Sequence, residues 1–473
     1  GTLLNDARAR AANSYRAPPG RLPPPFAGLD YDAYRGIRPA PGGAGGRALG
    51  TGYRVDLLPP GLFFPDPVEI ELPLADGRFA PVPFSPELFA FDPRYFEAVP
   101  ETAPGAGFSG LRLRHPLNTP GAMDEVMVVQ GASYFRAVGR AMVYGLSARA
   151  VAIGTGGPGP EEFPRFTRLR LHPPSGGRVR LEAVLDGPSL AGHLDMVLRP
   201  GTDTVSEIAV TLLPRREIAD IGIAPLTSMY LKGPMRSAVS DDFRPRVHDS
   251  DVLVIENGRG ERLWRPISNP ARVETSAFRD DGPAAFGLWQ TPRAFEDFED
   301  SEARYHDRPS ARVTPSGDWG RGAVMLVEIP TGDEFMDNIV AFWRPEAPLA
   351  AGRAHRFAYR LDWTRARPLA DVALPVRQSR SGRDHGRPGT RRFVVDFAGD
   401  AAGLAPDLSA TGGRVSGAAL FPLPGGRGTR ATFLLTPGAA ERVDMRLVLR
   451  DGAGTAASPV WLHRWTRARD GGV

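Results

Sequence analysis

Short apolar and polar alternations, broken by Gly or Pro, run through most of the chain and predict strands. Within residues 53–99, YRVDLLPPGLFF and PVEIELPLADGRFAPVPF read as strands, with Asp76 and Gly77 forming a hairpin turn. GFSGLRLRHPLN at 107–118 alternates Leu with Arg and reads the same way. Further strands are expected over 162–173, 179–186, 192–198 and 204–214. Residues 1–15 predict a short helix, with Asn5 or Asp6 near its start. The Pro/Gly-rich run 17–48 predicts extended surface chain, and Tyr31–Arg35 within it reads as a surface strand or turn. Residues 215–234 suggest one short helical turn followed by a loop. There is no βαβ rhythm and no Rossmann fingerprint. The glycine-rich run 154–157 lacks the Gly-Lys-Ser/Thr ending of a phosphate loop and reads as a strand connection.

Near residue 350 the texture changes. RRFVVDFAG, GRVSGAALFPLP, RATFLLTP, ERVDMRLVLRDG and SPVWLHRW give short strands over about one hundred residues, the rhythm of an immunoglobulin-like sandwich. The Cys…Trp…Cys mark of that fold is missing, so spacing alone supports it. The expectation is all-β, with a large β-sandwich at 1–365 and an immunoglobulin-like domain at 366–473.

Composition fits this picture. The 473 residues include Gly 55 and Pro 48, which punctuate strands better than long helices. Charge is nearly balanced, 58 basic against 54 acidic, and no long basic tract argues for nucleic acid. Cysteine is absent, which excludes disulfides, thiolate nucleophiles and Cys-ligated metals. No apolar run is long enough to span a bilayer. The chain opens GTLLNDARARAANSY, without a signal-type apolar segment, as a mature exported protein or a cytosolic one would.

Candidate chemistry concentrates in 241–343. One acidic group is Asp241, Asp242, Asp249 and Asp251; a second is Asp333, Glu334 and Asp337, followed by Asn338. His248 has no second histidine at a ligand-like spacing, so neither a metal nor a cofactor is expected. A carboxylate from each group, Asp249 and Asp337, would satisfy a glycosidase: one protonated to serve the leaving oxygen, one ionised to activate water. Four of the seven tryptophans, Trp264, Trp289, Trp319 and Trp343, lie in the same stretch, with Phe286 and Tyr305. Each can fill core; together they suggest flat faces for sugar rings.

A series of segments then resembles the periplasmic glucan biosynthesis proteins of types G and D. It comprises GASYFRAVGRAMVYGLSARAVAI at 131–153, EEFPRF at 161–166, IGIAPLTSMYL at 221–231, DDFRPRVHDSD at 241–251 and LWRPISNP at 263–270. It continues with FGLWQ at 286–290, ARYHDRPS at 303–310, GDWGRGAVMLVEIPT at 317–331 and DNIVAFW at 337–343. The resemblance implies a galactose-mutarotase-like β-sandwich followed by an immunoglobulin-like domain. It also implies export to the periplasm and work on β-1,2-linked glucan. By the same resemblance Asp337 matches a general acid, Asp249 a general base and Tyr305 a tyrosine in the proton path. Tyr134, Arg136, Trp264, Trp289, Gln290 and Trp319 are expected as cleft walls. The departure is GDEFMDN at 332–338, where relatives often carry a more polar stretch before the Asp-Asn pair.

Three activities fit this resemblance: an inverting β-1,2-glucanase, a transglycosylase closing the glucan with an α-1,6 link, and a non-catalytic glucan-binding or assembly protein. The partners expected are β-1,2-linked glucan and a membrane glucan synthase complex, with a homodimer left open and no nucleic acid.

Overall fold

A computed structural model of the chain describes residues 2–41, 45–236 and 240–470. Strands hold 47% of the chain and helix 7%, so the protein is all-β, as the alternation predicts. The chain forms two compact units: 1–225 with 315–317 and 344–364, and 226–314 with 318–343 and 365–473.

In the first unit, one antiparallel ladder runs through Gly46–Gly50, Tyr53–Leu58, Gly110–His115, Asp124–Gln130, Tyr134–Ala137 and Ser147–Arg149. A second runs through Phe79–Pro81, Glu69–Pro73, Arg165–Leu171, Val179–Asp186, Leu190–Arg199, Thr204–Pro214 and His355–Thr364. The pair Glu69–Pro73 and Arg165–Leu171 is parallel; the other pairs are antiparallel. The Asp76–Gly77 turn forms as expected: Gly77 has φ +80°, which glycine adopts without strain, and Leu74 N–H donates to Arg78 O at 2.7 Å.

The first helix is Leu3–Ala11, with Asn5 and Asp6 near its start as expected; Thr2 caps it, its hydroxyl accepting from Asn5 N–H at 3.3 Å, and two other local readings change. Leu3 and Ala7, one helical turn apart, bury against Val184 and Leu213. Tyr31–Arg35 is a short helix, not a strand or turn, because the Asp30 side chain accepts from Ala33 N–H at 2.8 Å. Residues 221–228, where a helical turn was expected, form a strand buried at every position. A continuous apolar run without alternation carries no period to separate the two states.

In the second unit, Ala405–Thr411, Arg442–Arg450, Val460–Thr466, Arg262–Pro266, Val252–Glu256 and Ala285–Trp289 are neighbours in that order. The Val460–Thr466 and Arg262–Pro266 pair is parallel, with Trp264 beside Trp461. Glu274–Asp280 and Gly322–Glu328 form part of a separate ladder, and Val376–Arg383, Arg391–Phe397, Thr429–Thr436 and Arg414–Pro422 form a four-stranded sheet. One core contains Trp264, Trp289, Phe393, Phe433, Trp461 and Trp465. Residues between Met235 and Trp289 thus share a core with the C-terminal strands, while 366–473 as an immunoglobulin-like domain is a proposal about the fold of that segment.

A buried ion pair fixes one ladder against another here. Arg265 donates to Glu328 at 3.0 Å, and Ser268 N–H donates to the other Glu328 oxygen at 2.6 Å; both side chains are almost fully buried. Removing one member leaves a buried charge without its partner, which costs about 3–5 kcal/mol. Glu328→Gln should therefore lower unfolding free energy by about that amount, measured by urea denaturation. A change under ~1 kcal/mol would contradict this role.

Candidate active site

The candidate catalytic residues Asp249, Tyr305 and Asp337 all lie in the second unit. Asp249 follows the two-residue strand Val247–His248, and its N–H donates to Met229 O at 2.8 Å. Its side chain is buried and accepts from Arg308 Nη1 at 2.7 Å. The Arg308 guanidinium also lies 4.4 Å from the centre of the Tyr305 ring. Burial acts against the Arg308 charge, but Asp249 and Tyr305 outweigh it and hold its pKa above the usual value.

Tyr305 opens a single 3-10 turn, Tyr305–Asp307. The turn is set by side chains before it. Asp300 accepts from the N–H groups of Glu302 and Ala303, at 3.0 and 2.7 Å. Arg304, at φ +51°, enters the left-handed region, and its guanidinium pairs with Asp307 at 2.7 Å. The buried Tyr305 hydroxyl donates to Glu334 Oε2 in a short bond. Burial first, then this bond to Glu334, raises the Tyr305 pKa, so the phenol stays protonated around neutral pH.

The same Glu334 oxygen accepts from Arg244 Nη1 at 2.8 Å, and that nitrogen also reaches Asp300 Oδ2 at 2.8 Å. Arg244 Nη2 and Nε bond Asp242. Asp242 and then Glu334 hold the Arg244 pKa above its usual value. Burial alone would raise the Asp300 carboxyl; Arg244 and the two backbone N–H groups win, and its pKa falls. The result is a continuous series of contacts: Asp249, Arg308, the Tyr305 ring and hydroxyl, Glu334, Arg244, Asp300.

Asp337 is exposed and immediately precedes the fully buried Asn338. Asn338 accepts from Tyr230 N–H at 2.8 Å and donates to Tyr230 O and Ile329 O at 3.0 and 2.9 Å. The acid position is therefore anchored through its neighbour, as its place at the mouth of the strand Ile339–Pro345 suggested. Its side chain is open to solvent. On the same loop Phe335 is 88% exposed and Met336 is also exposed.

Gln290 is 1% exposed. Its amide donates to His248 O at 2.6 Å and to Tyr305 O at 3.1 Å, and its Oε1 lies 2.6 Å from His248 Nδ1. It ties the segment bearing Asp249 to the turn bearing Tyr305, a positioning role where a cleft-wall contact was expected. Trp264 and Trp289 are buried in the core described above, and Trp319 is buried too. Tyr134 and Arg136 share the half-buried face of Tyr134–Ala137, and the Arg149 guanidinium lies 5.2 Å from the Tyr134 ring centre.

Sequence reading placed Glu334 in an acidic group but gave it no role; Arg244, Arg308 and Asp300 were missed. The available signal was two arginines inside the resembling segments DDFRPRVHDSD and ARYHDRPS.

With this geometry established, the comparisons with known proteins are specific. The family described as "Periplasmic glucan biosynthesis protein, MdoG" matches residues 1–465. The chain belongs to that family. Glucans biosynthesis protein G of Vibrio cholerae is 42% identical over 98% of this chain and 86% of its own. Glucans biosynthesis protein G of Shewanella frigidimarina is 40% identical over 98% of this chain and 84% of its own. The family ties this chain to periplasmic glucan biosynthesis. Among the described residues no helix is long and apolar enough to cross a membrane.

His248 is fully buried, stacks on Tyr230 with ring centres 5.3 Å apart, and has its pKa pushed well below the usual value, first by burial and then by Arg246. The folded state holds it neutral while the unfolded chain takes up a proton below about pH 6.5. The unfolded state then binds more protons, so stability falls as pH drops through that point. Chemical denaturation at pH 7 and pH 5 should show lower stability at pH 5, with a smaller difference in His248→Gln. An unchanged difference would remove His248 from this linkage.

Proposed function

We propose that the chain is a periplasmic β-1,2-glucan-processing enzyme that cuts the glucan backbone with inversion. The observation that carries this reading is the buried Tyr305 set between the Arg308–Asp249 pair and Glu334. A phenol hydrogen-bonded to a carboxylate can pass a proton in one concerted step, giving its own to that acceptor as it takes one from a hydroxyl. In this reading Asp337 protonates the departing glycosidic oxygen once sugar covers it. Asp249, held by Arg308, takes up the proton of the attacking water; a proton relayed by the Tyr305 hydroxyl passes instead to its acceptor, Glu334. Glu334 and Arg244 fix the phenol and balance the charge that passes.

Direct inversion wants roughly 6.5–9.5 Å between the two carboxyl groups, and a relay through a tyrosine and a sugar hydroxyl permits more. Tyr134, Arg136 and Trp319 are kept as proposed sugar contacts. A sugar hydroxyl in place of water would give the ring-closing transglycosylase instead. The two are separated by product mass, since each hydrolytic cut adds one water and closing an intact chain adds none.

The test uses linear β-1,2-glucan with turnover and binding followed separately. Asp337→Asn and Asp249→Asn should each lower kcat by about 10²–10⁴-fold, the usual share of general acid–base catalysis, with binding within a few-fold of the parent. Tyr305→Phe should lower it by at least about tenfold. Folded variants that turn over like the parent would overturn the assignment. A parent that binds this glucan but never alters it would favour a binding or assembly role beside a membrane synthase.

A further inference from the structure

Within the second unit lies a cavity of about 590 Å³ whose wall carries six arginines, Arg246, Arg293, Arg367, Arg377, Arg427 and Arg430, against two aspartates, Asp297 and Asp396. Both acids are already engaged. Asp396 accepts from Arg430 at 2.7 and 2.9 Å and from Gln378 at 2.8 Å, and Asp297 accepts from Ala294 N–H at 3.1 Å. Setting the Arg430–Asp396 pair aside leaves five arginines and one acid. The rest of the wall is largely apolar, including Trp264, Pro368, Pro375 and Val376.

Arg246 is the decisive residue. It is 8% exposed, lines the cavity, and makes no hydrogen bond or ion pair among the described residues. Asp251 and His248 feel its charge, but Asp251 spends its carboxylate on Thr291, at 2.8 and 2.6 Å. The side chain is largely screened from bulk solvent while its nitrogens open into the cavity, so a charged hydrogen-bond acceptor seated there gains a strong, directed contact. Arg293, in the same wall, is pushed down to about 10 by burial and then by Arg365. Arg293 already donates to His306 O, Arg308 O and Ser310 Oγ, so an anion entering the cavity would be met first by Arg246. Guanidinium forks match tetrahedral oxyanions, and several converging on one site favour a group of more than one negative charge.

We infer that this cavity is a binding site for a phosphoryl group carried on a small organic body, with Arg246 as the inner anchor and the wall of Pro368, Pro375 and Val376 against the carbon part. Arg367 and Arg377, both exposed, form the outer contacts. The inference goes beyond the proposed glucan chemistry and does not depend on it. The phosphoryl group can belong to a soluble metabolite or to a lipid headgroup.

The experiment is calorimetry on the full chain at low ionic strength with glucose 6-phosphate, inorganic phosphate and glucose. Glucose 6-phosphate should bind one to one and more tightly than inorganic phosphate, and glucose should give no saturable heat. Arg246→Met should weaken glucose 6-phosphate binding by at least about tenfold, the effect of losing a charged hydrogen-bond partner. The double variant Arg367→Gln/Arg377→Gln changes only exposed side chains, so it keeps the test decisive if Arg246→Met does not fold; it should weaken binding and flatten its salt dependence. Flotation with phosphatidylglycerol and phosphatidylcholine vesicles separates the sources. Capture by the former alone, lost in the double variant, supports a headgroup; no capture beside glucose 6-phosphate binding supports a soluble ligand. No saturable binding of any phosphoryl probe, equal binding of glucose, or binding unchanged in the variants would overturn the inference.

Discussion

Tyr305 is held from both sides, and much of the candidate site follows from how. Its ring lies against Arg308, which holds Asp249, and its hydroxyl is fixed by Glu334, which Arg244 holds in turn. A hydroxyl bonded to a carboxylate in a buried setting loses its rotational freedom and keeps its proton. Charge alternates along this series, so each buried group has an opposite neighbour, which such a buried network requires. The backbone serves the same end. Gln290 clamps the carbonyls of His248 and Tyr305, and the Asp300 carboxylate holds residues 302–303 just before the turn on which Tyr305 stands.

The all-β scaffold makes such a network possible by supplying short, fixed strand ends from distant parts of the chain. Asp249 follows one strand, Asp337 and Asn338 precede another, and the loops between them carry the arginines. Buried pairs such as Arg265–Glu328 and the aromatic core keep the strands of the second unit in register. The first unit has its own ladders, where half-buried faces present Tyr134 and Arg136.

The fold class was legible because alternation has a period of two, which is visible wherever one face meets water. It failed over 221–228, where every position is buried, and at Tyr31–Arg35, where one capping aspartate tips a short polar stretch into helix. Paired acids and the resembling segments brought Asp249, Tyr305 and Asp337 into view. The partners that organise them were not legible, because Arg244 to Glu334 spans 90 positions and Arg308 to Asp249 spans 59, and no local pattern encodes such pairings. Aromatic clustering pointed to ligand faces, yet Trp264 and Trp289 are core residues; a sequence shows an aromatic but not which side of a sheet it lies on.

The central claim is that Tyr305 acts through Glu334 as one unit. A double-mutant cycle on β-1,2-glucan turnover addresses it directly, with Tyr305→Phe, Glu334→Gln and the double variant measured beside the parent. If the two groups share one proton path, the second change costs little once the first is made, and the double variant is about as slow as the slower single variant. Losses that multiply, as for independent residues, would contradict it.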